Sequence, residues 1–203
     1  MKTTTTRNAA ATTLLLIQVV IGYEWMVSGL TKLVRGDFPA GLAGQLGDMS
    51  KASPGWYHSF LTSVVLPHVT TFGYAIEIAE LLAGIVLVGV AVLLLVQPEL
   101  ELPRPAIIAA VVASAAALLM VANFELANGA GFGFSLGRGT FDEGVDLDTL
   151  MTGIQLALLV FWVTALRRRG AQEPISNSRK TSFRAIRLWD SSRQPTINGV
   201  GKP

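Results

Sequence analysis

Four stretches of this chain are each long and apolar enough to cross a bilayer, and nothing else in the sequence constrains its fold as tightly. A hydrocarbon core about 30 Å thick needs roughly 20 apolar residues per helix. Residues 14–34, 69–96, 106–123 and 147–166 approach or exceed that length. The second is long enough to tilt or to extend beyond the lipid. Pro103 and Pro105 open the third, where a first-turn proline suits a helix start, and the fourth stops at Arg167-Arg168-Arg169. Composition agrees, because only 15% of residues are charged where soluble chains carry about a quarter. The expected fold is an all-α membrane protein, a four-helix transmembrane bundle with external interfacial helices and loops. Residues 1–13 form an N-terminal segment, 14–166 the membrane domain and 167–203 a basic tail.

Charge gives the orientation. Lys2 and Arg7 precede the first span, and residues 166–203 hold nine basic side chains against Glu173 and Asp190. Residues 10–165 carry five basic and twelve acidic groups. Positive charge favours the cytoplasm, so both termini are expected inside. The loop 124–146 is then external, with Glu125, Asp142, Glu143 and Asp146 against Arg138 alone. The pI of 9.2 is therefore a topology signal and implies no nucleic-acid partner. The N-terminal run resembles a signal peptide, but it is too long and shows no small-x-small cleavage site before Glu24, so it is expected to remain as the first span.

Two external segments are long enough to have structure. Residues 37–67 combine Pro39, Pro54 and several glycines with an apolar pattern of Phe38, Leu42, Leu46, Trp56, Tyr57, Phe60 and Leu61, which predicts short interfacial helices. Residues 128–144 are glycine-rich and are expected to cap the bundle without regular structure. They do not make a nucleotide-binding loop, which needs a strand before and a helix after. The tail beyond Gly170 is polar and basic, and alone it is expected to be disordered.

Ionisable groups within spans are costly and usually face the bundle interior. Glu24, Ser28 and Lys32 follow at i,i+4 steps and share one helical face. Glu24 and Lys32 are two turns apart, about 12 Å, so any pairing needs an intermediary or another helix. On the second span Gly73, Glu77, Glu80 and Gly84 make a heptad-like stripe of small residues and carboxylates. The third is nearly a small-residue ladder (Ala109, Ala113, Ser114, Ala116, Ala117), and the fourth contributes Thr152, Gly153, Gln155 and Thr164. Two readings of Glu24, Glu77 and Glu80 stand side by side. They pair with Lys32 or Arg35 and fix helix register, or they relay protons to a quinone.

His58 and His68 lie in or beside one external segment, which is the wrong placement for a haem pair on two spans. They either approach a quinone head or an anion, or take backbone partners. Lys32, Arg35, Lys51 and Arg138 are the external cations available to an arriving anion. Trp25 and Trp56 suit interfacial anchors. The absence of cysteine removes disulfides, thiolate metal sites and iron–sulfur clusters, and no metal or covalent cofactor is expected.

The segment YEWMVSGLTKLVRGDFPAGL (23–42), with WYHSFL (56–61) and FGYAIEIAELLAGIVLVG (72–89), resembles the DoxX/DoxD group of four-helix membrane proteins. The nearest branch is the small membrane subunit of thiosulfate:quinone oxidoreductase, and the likeness covers residues 14–166. The aromatic-x-x-Ser-Gly-x-x-Lys-Leu segment followed by FPAGL is the distinctive part. The matching positions are Trp25, Gly29, Lys32, Phe38, Pro39, Gly41, Glu80 and Gly84. The resemblance implies oxidation of thiosulfate to tetrathionate with membrane quinone as acceptor, a DoxA-like partner, and a bacterial or archaeal plasma membrane. The site expected under it uses Glu77, Glu80, Glu24 and Lys32 for catalysis. Trp25, Arg35, Trp56, His58, His68 and Arg138 would bind quinone or substrate. The rival expectation is a non-catalytic subunit that anchors a larger membrane complex.

Overall fold

This computed structural model describes the backbone of residues 3–51, 53–129, 134–136, 143–145 and 147–191. Its helices are α1 (Thr3–Arg35), α2 (Phe38–Met49), α3 (Gly55–Phe60), α4 (Val69–Val96), α5 (Arg104–Ala127) and α6 (Leu147–Ser191). Four apolar helical segments, Ala9–Arg35, Gly55–Val96, Arg104–Ala127 and Thr149–Ala171, are long enough to cross a membrane. The chain is a multi-pass, all-α membrane bundle. Its outward side chains, among them Val20, Leu82, Val112, Leu119 and Val160, are apolar and exposed, as a lipid solvent requires.

Local signals mark the helix ends. Gly36 (φ 70°) and Gly129 (φ 69°) take the left-handed conformation just after α1 and α5, where glycine carries no Cβ penalty. Pro105 lies in the first turn of α5, and Pro39 in that of α2. Residues 55–96 would span about 63 Å as one straight helix, twice the hydrocarbon thickness. A π turn (Leu61–Val65) and a 3₁₀ turn containing Pro67 (Leu66–His68) interrupt the stretch before α4. His68 itself leaves helical geometry, at φ −122° and ψ 26°.

The bundle core is the α1–α4 crossing, where backbones nearly touch. A Cβ on Gly84 would lie 2.6 Å from Met26 Cα and 2.7 Å from the Gly22 carbonyl oxygen. One on Gly29 would lie 2.8 Å from the Glu77 carbonyl oxygen. Only glycine fits there, as at other close membrane-helix contacts. Gly73, one end of the expected α4 stripe, packs in the same way against Pro39 of α2, 2.7 Å from its Cα. Around the crossing, Ile21, Trp25, Ala83, Leu87, Ala113, Ala117 and Val121 make one apolar cluster. A second, of Leu42, Leu46, Tyr57, Leu61, Val65 and Ala127, lies under α2 and α3. The interfacial helices read from residues 37–67 are thus present.

Deep in the bundle Gln18 joins three helices. Its Nε2 donates to the Leu87 carbonyl at 2.8 Å, and its Oε1 accepts from Trp162 Nε1 at 2.9 Å. Both side chains are buried. Trp162→Phe keeps most of the apolar contact and orphans the amide oxygen, so it is expected to cost about 1–2 kcal/mol. Unfolding of the purified chain in mixed detergent measures this, and an unchanged midpoint would contradict it.

The structure corrects several expectations. Trp25 is no interfacial anchor but a core residue at 5% exposure. Helix α5 continues through Ala127, so Glu125 belongs to a span and is fully buried instead of sitting in an external loop. Part of the glycine-rich cap is regular: β1 (Phe134–Leu136) pairs antiparallel with β2 (Glu143–Val145), with Ser135 opposite Gly144. Helix α6 extends to Ser191, past the point where the polar tail was expected to lose structure. Its Arg, Lys, Ala and Leu residues from Arg179 to Leu188 are good helix formers whatever their polarity; nothing in the sequence explains its passage through Pro174. The chain divides into two compact units, Met1–Val163, which holds the bundle, and Thr164–Pro203.

Candidate functional site

A cavity of about 900 Å³ opens between α1, α2, α3, the π turn, α4 and α5. Its wall is mostly Leu, Val, Phe, Ile and Met, with Glu24, Ser28, Lys32, Arg35, Tyr57 and Asn123 among the polar groups. That combination of an apolar wall with a polar edge, at this volume, suits a small organic ligand. Sequence spacing builds the polar edge. Glu24, Ser28 and Lys32 follow at i,i+4 on α1, and Thr31 and Arg35 flank them.

Lys32 links the cavity to the interior. Its ammonium pairs with Glu80 Oε1, while Ser28 Oγ donates to Glu80 Oε2 at 3.0 Å. Glu80 is 1% exposed and the Lys32 side chain 22%. The pair is therefore a buried carboxylate held by a cation that still reaches the cavity. Lys32 also sits over the Phe38 ring, 4.6 Å from its centroid, a favourable place for a cation. Burial of a carboxylate is costly unless it is paired and hydrogen-bonded, and both oxygens of Glu80 have partners. Glu77, one turn away, is equally buried, yet its Oε1 has no hydrogen-bond partner among the described residues.

The residues expected from sequence divide into groups. Glu24, Lys32 and Arg35 line the cavity, and Glu80 touches it through Lys32 and Ser28. Glu77 and Trp25 lie in the buried interior, the Trp25 Nε1 without a partner among the described residues. Trp56 is 67% exposed and edge-on to Tyr57. His58 and His68 are exposed and line none of the cavity; His58 Nδ1 instead bonds the Ser50 carbonyl oxygen at 2.9 Å. Lys51 donates to Asp48 at 2.7 Å on the outer face of the α2 end, which holds the Asp48 carboxyl below its usual range. Arg138 lies outside the described residues.

Sequence reasoning passed over Tyr57 as a site residue. Its hydroxyl enters the cavity wall and donates to Asn123 Oδ1 at 2.7 Å, tying α3 to α5. The π turn that follows, Leu61–Val65, lines the cavity as well, and such turns are frequent at functional sites. The apolar residues around Tyr57 disguise it as another interfacial aromatic.

Comparison of the chain with protein-family models, with curated proteins and with solved structures gives no match.

Proposed function

We propose that this protein is the quinone-linked membrane subunit of an oxidoreductase of the thiosulfate:quinone type, in a bacterial or archaeal plasma membrane. The observation that carries the reading is the Lys32–Glu80 pair at the edge of a quinone-sized, largely apolar cavity. Two thiosulfate anions give up one electron each and form the sulfur–sulfur bond of tetrathionate. The quinone takes both electrons and two protons. In this reading Lys32 hydrogen-bonds a quinone carbonyl, Ser28 and Glu80 return protons to it, and Arg35 draws the anion toward the cavity. The chain supplies no thiol, and its electrons come from the substrate directly or from a DoxA-like partner. The resemblance of residues 23–42 and 72–89 to DoxX/DoxD proteins supports the same reading.

One observation favours the non-catalytic alternative. Glu80 is fully partnered by Lys32 and Ser28, as a group that merely fixes helix register would be. The two readings separate in one experiment. The complex is isolated from native membranes in gentle detergent and assayed for thiosulfate-dependent quinone reduction. Glu80→Gln, which can still accept from Ser28, is expected to lower turnover on the order of a hundredfold with the complex intact. A stoichiometric complex without such activity would make the chain an anchor.

A further inference from the structure

A third buried carboxylate has no place in the quinone reading. Glu125 is fully buried near the end of α5. The α5 residues that line the cavity are Met120, Asn123, Phe124 and Ala127, and at 3.6 residues per turn Glu125 points roughly 150° away from their centre. It faces α6 instead, where Thr149 Oγ1 donates to its Oε1 at 2.5 Å. Its Oε2 has no partner among the described residues, and no Lys or Arg pairs with it there.

The surroundings are polar and equally unsatisfied. Thr152 Oγ1 and both side-chain atoms of Gln155 are buried without hydrogen bonds among the described residues, and Gln155 is 0% exposed. Thr149, Thr152 and Gln155 follow at three-residue steps, about 4.5 Å of rise each. Helical side chains lean toward the N-terminus of their own helix. Helices α5 and α6 meet close to the ends joined by residues 128–146, so they run in opposite directions. Glu125 therefore leans into the bundle while Gln155 leans back toward Thr149. Thr152, one turn beyond Thr149 on α6, lies between them along the helix axis.

We propose that this seam binds a small monovalent cation of the sodium type. Hard cations take carboxylate, hydroxyl and amide oxygens. The seam offers all three, from Glu125, Thr149, Thr152 and Gln155. Thr149 can keep donating its proton to Glu125 while its oxygen lone pair faces the ion. The bound charge neutralises a carboxylate that apolar helices otherwise isolate. Water alone would satisfy the hydroxyls and the amide and add no positive charge beside the carboxylate. The proposal is independent of the quinone reading, and either can fail alone.

The test is thermal unfolding of the purified full chain in detergent, in sodium chloride against choline chloride at equal ionic strength. The expected result is a saturable sodium-dependent rise in midpoint of several degrees, as binding to the folded state alone requires. It should be absent in Glu125→Gln. If that variant does not fold, Thr152→Val, which keeps the carboxylate, should weaken the sodium response at least tenfold in concentration. Equal midpoints in the two salts would overturn the proposal. So would a sodium response that both variants retain.

Discussion

Gly84→Leu is expected to destabilise the bundle by about 3 kcal/mol or more, whereas Gly89→Leu on the same helix should change stability by less than about 0.5 kcal/mol. The chemical change is identical, and the difference lies in what each position meets. A Cβ on Gly84 falls inside contact distance of the Met26 and Gly22 backbones, while one on Gly89 meets nothing within 4 Å. Backbone cannot yield as a side-chain tip can, so α1 must move off α4. The seats of Gly22 and Gly29 on the same crossing then open together. Unfolding in mixed detergent, with helicity by circular dichroism, gives both values. Equal effects at the two positions would show that the α1–α4 crossing does not hold the bundle together.

Lys32→Met should cost about 3 kcal/mol, because it leaves Glu80 buried with Ser28 as its only partner. The loss belongs at the lower end of the range for broken buried pairs, since the Lys32 side chain is 22% exposed and water reaches the cation. Adding Glu80→Met to Lys32→Met removes the stranded charge and should recover most of the loss. That recovery distinguishes an isolated buried charge from simple loss of packing. A double variant no more stable than Lys32→Met alone would mean that the pair does not bear on stability. In either outcome the double variant lacks the groups that the quinone reading requires and should be inactive.

Much of the architecture is visible along the chain, because membrane burial acts on every residue of a span at once. Hydropathy alone locates the α4 stretch at residues 69–96. The spacing of Gly73, Glu77, Glu80 and Gly84 places all four on one buried face. What one helix cannot reveal is which face of another it meets. The i,i+4 series Glu24, Ser28, Lys32 looks uniform in sequence. The crossing at Gly29 and Gly84 divides it, giving Ser28 and Lys32 to Glu80 and leaving Glu24 on the cavity wall. Glu125 was hidden for another reason. Asn123 and Glu125 lower the hydropathy enough to end the third span early, and the α6 partner of Glu125, Thr149, lies 24 residues further along the chain. The Gln18–Trp162 bond links residues 144 positions apart, which no local pattern encodes. Histidines drew attention through their chemistry, yet His58 is occupied by a backbone carbonyl and His68 closes the 3₁₀ turn just before α4.

A quinone head in the cavity beside Lys32 and Glu80, as proposed above, would be open to covalent labelling. Photolabelling with a quinone that carries a photoreactive group on its ring, followed by peptide mapping, tests it most directly. Labels are expected on the α1 face from Glu24 to Arg35 and on Phe38, Tyr57 or Phe60, competed away by excess unlabelled quinone. Labels confined to outward residues such as Val20, Leu82 and Val112, or unaffected by competitor, would mean that the quinone meets this protein only as a lipid does.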